Sequence, residues 1–114
     1  MHEFSIAKNI FDTVFQNIDK EDTVSKVTVE IGSFSGIESE SIIFCWDILK
    51  ENTRLKDSVI EVLSTDTTAE CRKCGEIYTV RDYFFLCPEC GSSDSEIIRG
   101  DKIILKSIEV EENG

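Results

Sequence analysis

Histidine is nearly absent from this chain: 114 residues carry one, His2. There is also no nucleophile with a sequence-adjacent base and no phosphate-cradling glycine loop, so the residues do not suggest an enzyme. Basic residues are scarce. Lys and Arg total 12 against 23 for Asp and Glu, a formal net charge of −11. Such a surface repels phosphate backbones and anionic membranes. It favours metal cations and basic proteins as partners, with no nucleic acid and no membrane. No apolar run approaches the roughly 18 residues of a membrane span, and no basic segment leads into a secretory-type apolar stretch. The expected location is therefore the reducing cytoplasm, where closely spaced cysteines act as metal ligands rather than disulfides. About one domain, or a domain with a small appendage, fits the length.

What the chain does have is cysteine in a pattern. Cys71-Arg72-Lys73-Cys74-Gly75 and Cys87-Pro88-Glu89-Cys90-Gly91 are two copies of one turn, with twelve residues between Cys74 and Cys87. Each turn aims two sulfurs and nearby backbone N–H groups at one point, and the glycine after it permits the positive φ the turn needs. Four thiolates suit tetrahedral Zn²⁺, with Zn–S near ~2.3 Å. A shell of four is closed to water, so the metal is expected to be structural. Two alternatives share the spacing: a rubredoxin-like iron electron-transfer protein and a zinc-ribbon adaptor. The charge weighs against an adaptor for nucleic acid, and no feature elsewhere in the chain provides for an electron partner. The fifth cysteine, Cys45 in Ile42-Ile43-Phe44-Cys45-Trp46, reads as a small core residue without a role.

The one histidine is placed beside the chain start and is followed by Glu3. The α-amine of Met1, the backbone nitrogen of His2 and its imidazole can close two adjoining chelate rings on one ion. That nitrogen set fits a divalent metal accepting square-planar geometry, Ni²⁺ or Cu²⁺. Taken alone, histidine at position two is a weak signal, and a solvated side chain is the ordinary reading.

Along the chain, Phe4, Ala7, Phe11, Val14, Phe15 and Ile18 recur at helical steps, which predicts an amphipathic helix over Ser5–Ile18 with Ser5 as N-cap. Lys26–Ile31 alternates as a half-buried strand. Ser39 is expected to cap a second helix from Glu40 to Glu51, buried over a wide arc. Ser58–Leu63 reads as a strand and Ser64–Thr68 as a polar hinge. Ile77–Val80 and Tyr83–Leu86 read as short strands, with Ser92–Ser95 leading out of the cysteine block. Ile97-Ile98 and then Lys102–Glu111 return to strand pattern. The expectation is an α+β fold: a small three-stranded sheet with two helices, plus an inserted four-cysteine zinc-ribbon lobe. The discontinuous α/β domain takes residues 1–66 and 101–114, and the zinc-binding domain residues 67–100.

Four stretches in register resemble the HypA family: Met1-His2-Glu3-Phe4-Ser5-Ile6-Ala7, Glu30-Ile31-Gly32 with Ser35-Gly36, Phe85-Leu86-Cys87-Pro88 with Cys90-Gly91, and Leu105-Lys106-Ser107-Ile108-Glu109-Val110. The family consists of nickel metallochaperones that help mature [NiFe]-hydrogenase and, in some bacteria, urease. The resemblance implies a transferred Ni²⁺ held by the Met1 amine, His2 and Glu3, with Glu38 or Glu40 as a further carboxylate, and a structural Zn²⁺ on Cys71, Cys74, Cys87 and Cys90. It implies work with a nickel-handling maturation GTPase (HypB-like), docking on the hydrogenase large subunit, and in some settings the urease maturation machinery. Departures are visible. Ser33 stands where many members have glutamate, Ser39 where proline is frequent, and no further histidine lies near the cysteines. The fourth nickel ligand is thus left open among Glu3, Glu38, Glu40, water and a group from a partner.

Overall fold

The computed structural model describes residues 2–81 and 85–111, with only the backbone of His2. The expected strand through Tyr83 and Phe84 falls outside them, and Phe85 and Leu86 are not in a strand. The elements are α1 (His2–Gln16), β1 (Thr23–Gly32), a 3-10 turn (Ser33–Ser35), α2 (Ser39–Lys50), β2 (Val59–Thr65), β3 (Thr68–Cys71), β4 (Ile77–Thr79), β5 (Ser95–Arg99) and β6 (Ile103–Glu111). The fold is α+β, and the described residues form two three-stranded sheets, ordered β2-β1-β6 and β4-β3-β5. They group into two compact units. One comprises Met1–Glu30, Ile37–Leu63 and Ile104–Gly114, the other Ile31–Gly36 and Ser64–Ile103.

In the first unit α1 begins at His2, so Ser5 is inside the helix and not its cap. Glu3 occupies the first turn, where the helix dipole favours a carboxylate. Ala7, Ile10, Phe11 and Val14 are buried, whereas Phe4 is 47% exposed. In α2 Ser39 is the first helical residue and Glu38 precedes it as N-cap, without a side-chain capping bond. The wide buried arc expected of α2 is much narrower. Ile42 and Trp46, one turn apart, are its buried residues, while Ile43, Phe44 and Ile48 are exposed. A single face is enough because α2 packs on α1, with the Phe11 and Trp46 rings edge to face at 5.5 Å. The Trp46 indole N–H donates to Ser58 Oγ at 3.1 Å, and Ser58 donates in turn to the Leu55 carbonyl at 2.6 Å. That chain satisfies the polar atom of a fully buried ring.

As the middle strand, β1 is covered more fully than half. Thr28 and Glu30 are buried as well as Val27, Val29 and Ile31. Ion pairs join it to both neighbours: Lys26 to Glu61 at 3.0 Å, and Glu30 to Lys106 at 3.2 Å.

In the second unit β3 is the central strand, pairing antiparallel with β4 and β5. The expected polar hinge Ser64–Thr68 is reduced to Asp66-Thr67, since Ser64 and Thr65 end β2 and Thr68 opens β3. Ala69, Cys71, Tyr78, Val80 and Cys87 form the core here, with Phe85 packed against them. The 3-10 turn belongs to this unit. Gly32 N–H donates to the Lys102 carbonyl and Phe34 N–H to the Gly100 carbonyl, each at 3.0 Å. Thr67, 1% exposed, hydrogen-bonds Ser33 Oγ at 2.8 Å and donates to the Gly100 carbonyl at 3.1 Å.

Candidate functional site

The two cysteine turns have the same backbone pattern. Gly75 N–H donates to the Cys71 carbonyl at 2.9 Å and Gly91 N–H to the Cys87 carbonyl at 2.8 Å. Cys71 N–H donates to the Glu76 carbonyl and Cys87 N–H to the Ser92 carbonyl, both at 2.9 Å. Both glycines have positive φ, 81° and 76°, the conformation in which a Cβ is costly. Each turn buries its first cysteine and exposes its second.

The turns face each other crosswise. Cys71 Sγ lies 3.5 Å from Cys90 Sγ, and Cys74 Sγ lies 3.5 Å from Cys87 Sγ. All four sulfurs fall within 4.8 Å of one another, a spread that brackets the ~3.8 Å edge of a tetrahedron with ~2.3 Å metal–sulfur bonds. All are free thiols. The donor set thus fits a soft tetrahedral ion, with Zn²⁺ the best match among common divalent metals.

Their protonation is uneven. The Cys74 backbone N–H, followed by Lys73 N–H and the thiols of Cys90 and Cys74, lowers Cys71 to about 7 against desolvation. The Glu76 N–H pulls Cys74 down, but hydrogen bonds from its sulfur neighbours, Cys87 foremost, and desolvation outweigh it and push Cys74 up to about 12. Cys90 is also raised: the Ser92 N–H lowers it, and Cys71 and desolvation prevail. Clustered sulfurs oppose one another's ionisation, so negative charge on all four calls for a cation at their centre.

The second group of expected ligands is in the first unit. Glu3, Phe4, Glu38, Glu40, Ser41, Phe44 and Cys45 line an open pocket of about 510 Å³. Three carboxylates named from the sequence therefore share one cavity, contributed by the first turn of α1 and the start of α2. Met1 and the His2 side chain lie outside the described residues. Because His2 opens the helix, its amide N–H has no intrahelical acceptor. The Cys45 thiol is half-buried and lines this pocket rather than the core. Phe44 in the pocket wall was also read as core. Helical spacing carried the missing signal, since Ile42 and Trp46 place Phe44 on the opposite side of α2. No helix among the described residues is long and apolar enough to cross a membrane.

Comparison with known proteins matches residues 1–110 to a family described as hydrogenase/urease nickel incorporation, metallochaperone, HypA. The chain is 35% identical to the hydrogenase maturation factor HypA of Chlorobium phaeobacteroides, over 97% of this chain and all of that one. It is 37% identical to the same factor of Crocosphaera subtropica, over 98% of this chain and 97% of that one. The fold matches the solution structure of the Ni metallochaperone HypA from Helicobacter pylori with a TM-score of 0.70 at 20% identity, covering 94% of this chain and 95% of the other. From the first residue nearly to the last, then, the chain belongs to the HypA family, whose members are nickel-incorporation metallochaperones and not enzymes.

Proposed function

We propose that this chain binds Ni²⁺ as cargo at its N-terminus and delivers it during maturation of [NiFe]-hydrogenase, while Cys71, Cys74, Cys87 and Cys90 hold a structural Zn²⁺. The carrying observation is the shared pocket of Glu3, Glu38 and Glu40 at the start of α1. In this reading the Met1 amine, the His2 amide nitrogen and the His2 imidazole supply nitrogen donors. Glu3 adds a carboxylate, with Glu38 or Glu40 available beside it. Surrendering the His2 amide proton breaks no helical hydrogen bond. The carboxylates offset the positive end of the helix dipole, which otherwise opposes a cation.

A carrier must also release its ion. Ligands at a chain end, beside an open pocket, can be replaced one at a time by an acceptor. An affinity on the order of 8 kcal/mol, micromolar in dissociation constant, suits transfer. The zinc, on a closed thiolate shell, holds the β4-β3-β5 unit in shape and supplies no chemistry to the cargo. The partners in this reading are a HypB-like maturation GTPase and the hydrogenase large subunit, in the cytoplasm.

The test is calorimetric nickel titration of the zinc-loaded protein and of His2→Ala. One zinc and one labile nickel per chain, with nickel binding lost in His2→Ala, is the expected result. Equal stoichiometry and affinity in both proteins would refute the N-terminal site. Elemental analysis and colour settle the tetrathiolate metal: zinc is colourless, ferric iron red.

A further inference from the structure

The outward face of α2 is more apolar than its packing requires. Ile42 and Trp46 are the buried side of the helix, with Trp46 against the Phe11 ring of α1. On a helix packed this way the opposite side is ordinarily polar. Here Phe44 is 66% exposed, more than any other large hydrophobic side chain among the described residues, and Ile48, one turn further on, is 49% exposed. Phe4, in the first turn of α1, lines the same cavity as Phe44 and is exposed as well. All three belong to the first unit, so the patch is complete within it.

Carboxylates frame these side chains. Glu40 lies one turn before Phe44, and Glu51 closes the helix after Ile48. Glu38 and Glu40 also line the cavity that Phe44 walls. Glu38, Glu40 and Glu51 are all exposed. The lysine of this helix is engaged elsewhere: Lys50 pairs with Asp47 at 3.3 Å and donates to the Ser58 carbonyl at 2.7 Å. An apolar ridge in an acidic frame selects its occupant by charge. A second copy of this chain, at −11, is repelled, and so is an anionic membrane. The middle turns of a helix have no free backbone groups, so an added strand finds nothing to pair with. A second helix does fit. Its apolar residues would pack across Phe44 and Ile48, about 6 Å apart along the axis, with its Lys or Arg side chains against the frame.

We propose that Phe44 and Ile48, with Phe4 beside them, form the docking surface for a basic amphipathic helix of a partner protein. The surface adjoins the carboxylate pocket, so a partner seated there stands beside the cargo. That this partner exchanges nickel with the chain rests on the N-terminal site proposed above; the docking surface does not.

The probe is a synthetic amphipathic helix of about 15 residues, with leucine along one face and lysine elsewhere, titrated by fluorescence anisotropy into full-length zinc-loaded protein. It is expected to bind, and the same peptide with glutamate for every lysine is not. Phe44→Ser and Ile48→Ser should each weaken binding about tenfold, as should Glu40→Lys combined with Glu51→Lys. Thermal unfolding of these variants should match wild type, since the side chains face solvent. Ile77→Ser and Glu70→Lys, which alter an exposed apolar residue and an exposed carboxylate of the second unit, should leave affinity unchanged. Failure of the lysine peptide to bind overturns the surface. So does unchanged affinity in Phe44→Ser and Ile48→Ser, or an equal loss in the Ile77 and Glu70 variants. The link to cargo is read separately. Nickel-loaded Ile48→Ser should keep wild-type nickel affinity yet pass its ion to purified nickel-free hydrogenase large subunit about tenfold more slowly. An unchanged transfer rate overturns the partner's part in exchange. A His2→Ala protein that binds nickel normally overturns the N-terminal site and that link with it, whereas peptide binding by His2→Ala should equal wild type.

Discussion

Gly32 and Gly100 approach so closely that no side chain fits at the first: a Cβ on Gly32 would lie 2.0 Å from the Gly100 carbonyl oxygen. Gly100 is equally constrained, with φ 98° and a Cβ position 2.5 Å from Thr67 Cα. The obstacles are backbone atoms, which cannot swing aside as a flexible side chain does. Gly32→Ala should therefore cost on the order of 2–4 kcal/mol, read by denaturant unfolding of the zinc-loaded protein. An unfolding midpoint equal to wild type would show that the two segments separate freely.

Removing the tetrathiolate metal should affect the two units unequally. The β4-β3-β5 unit has a core of few residues, two of them proposed ligands, and a core of that size seldom holds without a staple. The first unit has its own buried set around Trp46. After chelation, hydrogen exchange should lose protection in β3 and β5 while α1 and β1 keep theirs. Uniform loss of protection would contradict this.

The uneven thiols predict a pH signature. Cys71, lowered to about 7, favours the folded metal-free state by a contribution that is complete above the ordinary thiol value of 9.0 and is lost as pH falls through 7. Cys74, raised to about 12, acts oppositely: its neutral form favours the fold below 9.0, and that contribution disappears as pH rises toward 12. Ultraviolet thiolate absorbance of metal-free protein should show Cys71 ionising near neutrality and Cys74 only toward pH 12. Because a bound metal displaces every thiol proton, zinc affinity should fall as pH drops through neutrality. An affinity flat across that range would refute the thiolate assignment.

Nickel uptake should depend on acidity for a separate reason. An imidazole with a reference pKa near ~6.5 and an α-amine near ~7.7–8.0 must both be deprotonated to bind. Affinity should weaken below neutral pH, and one extra residue ahead of Met1 should abolish the amine's part. An extended protein that binds and transfers nickel as well as the native one would remove the basis of the N-terminal assignment.

Truncating Trp46 tests the helical unit. Trp46→Phe keeps the packing on Phe11 but forfeits the bond to Ser58, for about 1–3 kcal/mol. Trp46→Ala should cost more, about 3–5 kcal/mol. Thermal unfolding of zinc-loaded protein distinguishes them.

Much of this fold was legible because its signals are local. Alternation marked β1 and β6, helical spacing marked α1 and α2, and two identical cysteine turns marked a cluster whatever the ribbon between them did. What escaped depends on contacts across the chain. Strand β3 is four residues of ordinary polarity, Thr68-Ala69-Glu70-Cys71, which become a strand by being paired on both sides. Ser5 and Ser39 carry good capping chemistry, yet both helices begin earlier, one at His2 with Glu3 in its first turn. The Phe34–Phe85 contact joins residues 51 positions apart, and nothing near either one announces the other.

In each cysteine turn the first residue is buried and its mate, Cys74 or Cys90, is exposed. Attack on a filled centre by an oxidant or a competing chelator therefore has a preferred direction. The outer two bonds should break first, leaving an intermediate still gripped by Cys71 and Cys87. Damage that stops there would be repairable in place, without the lobe having to refold.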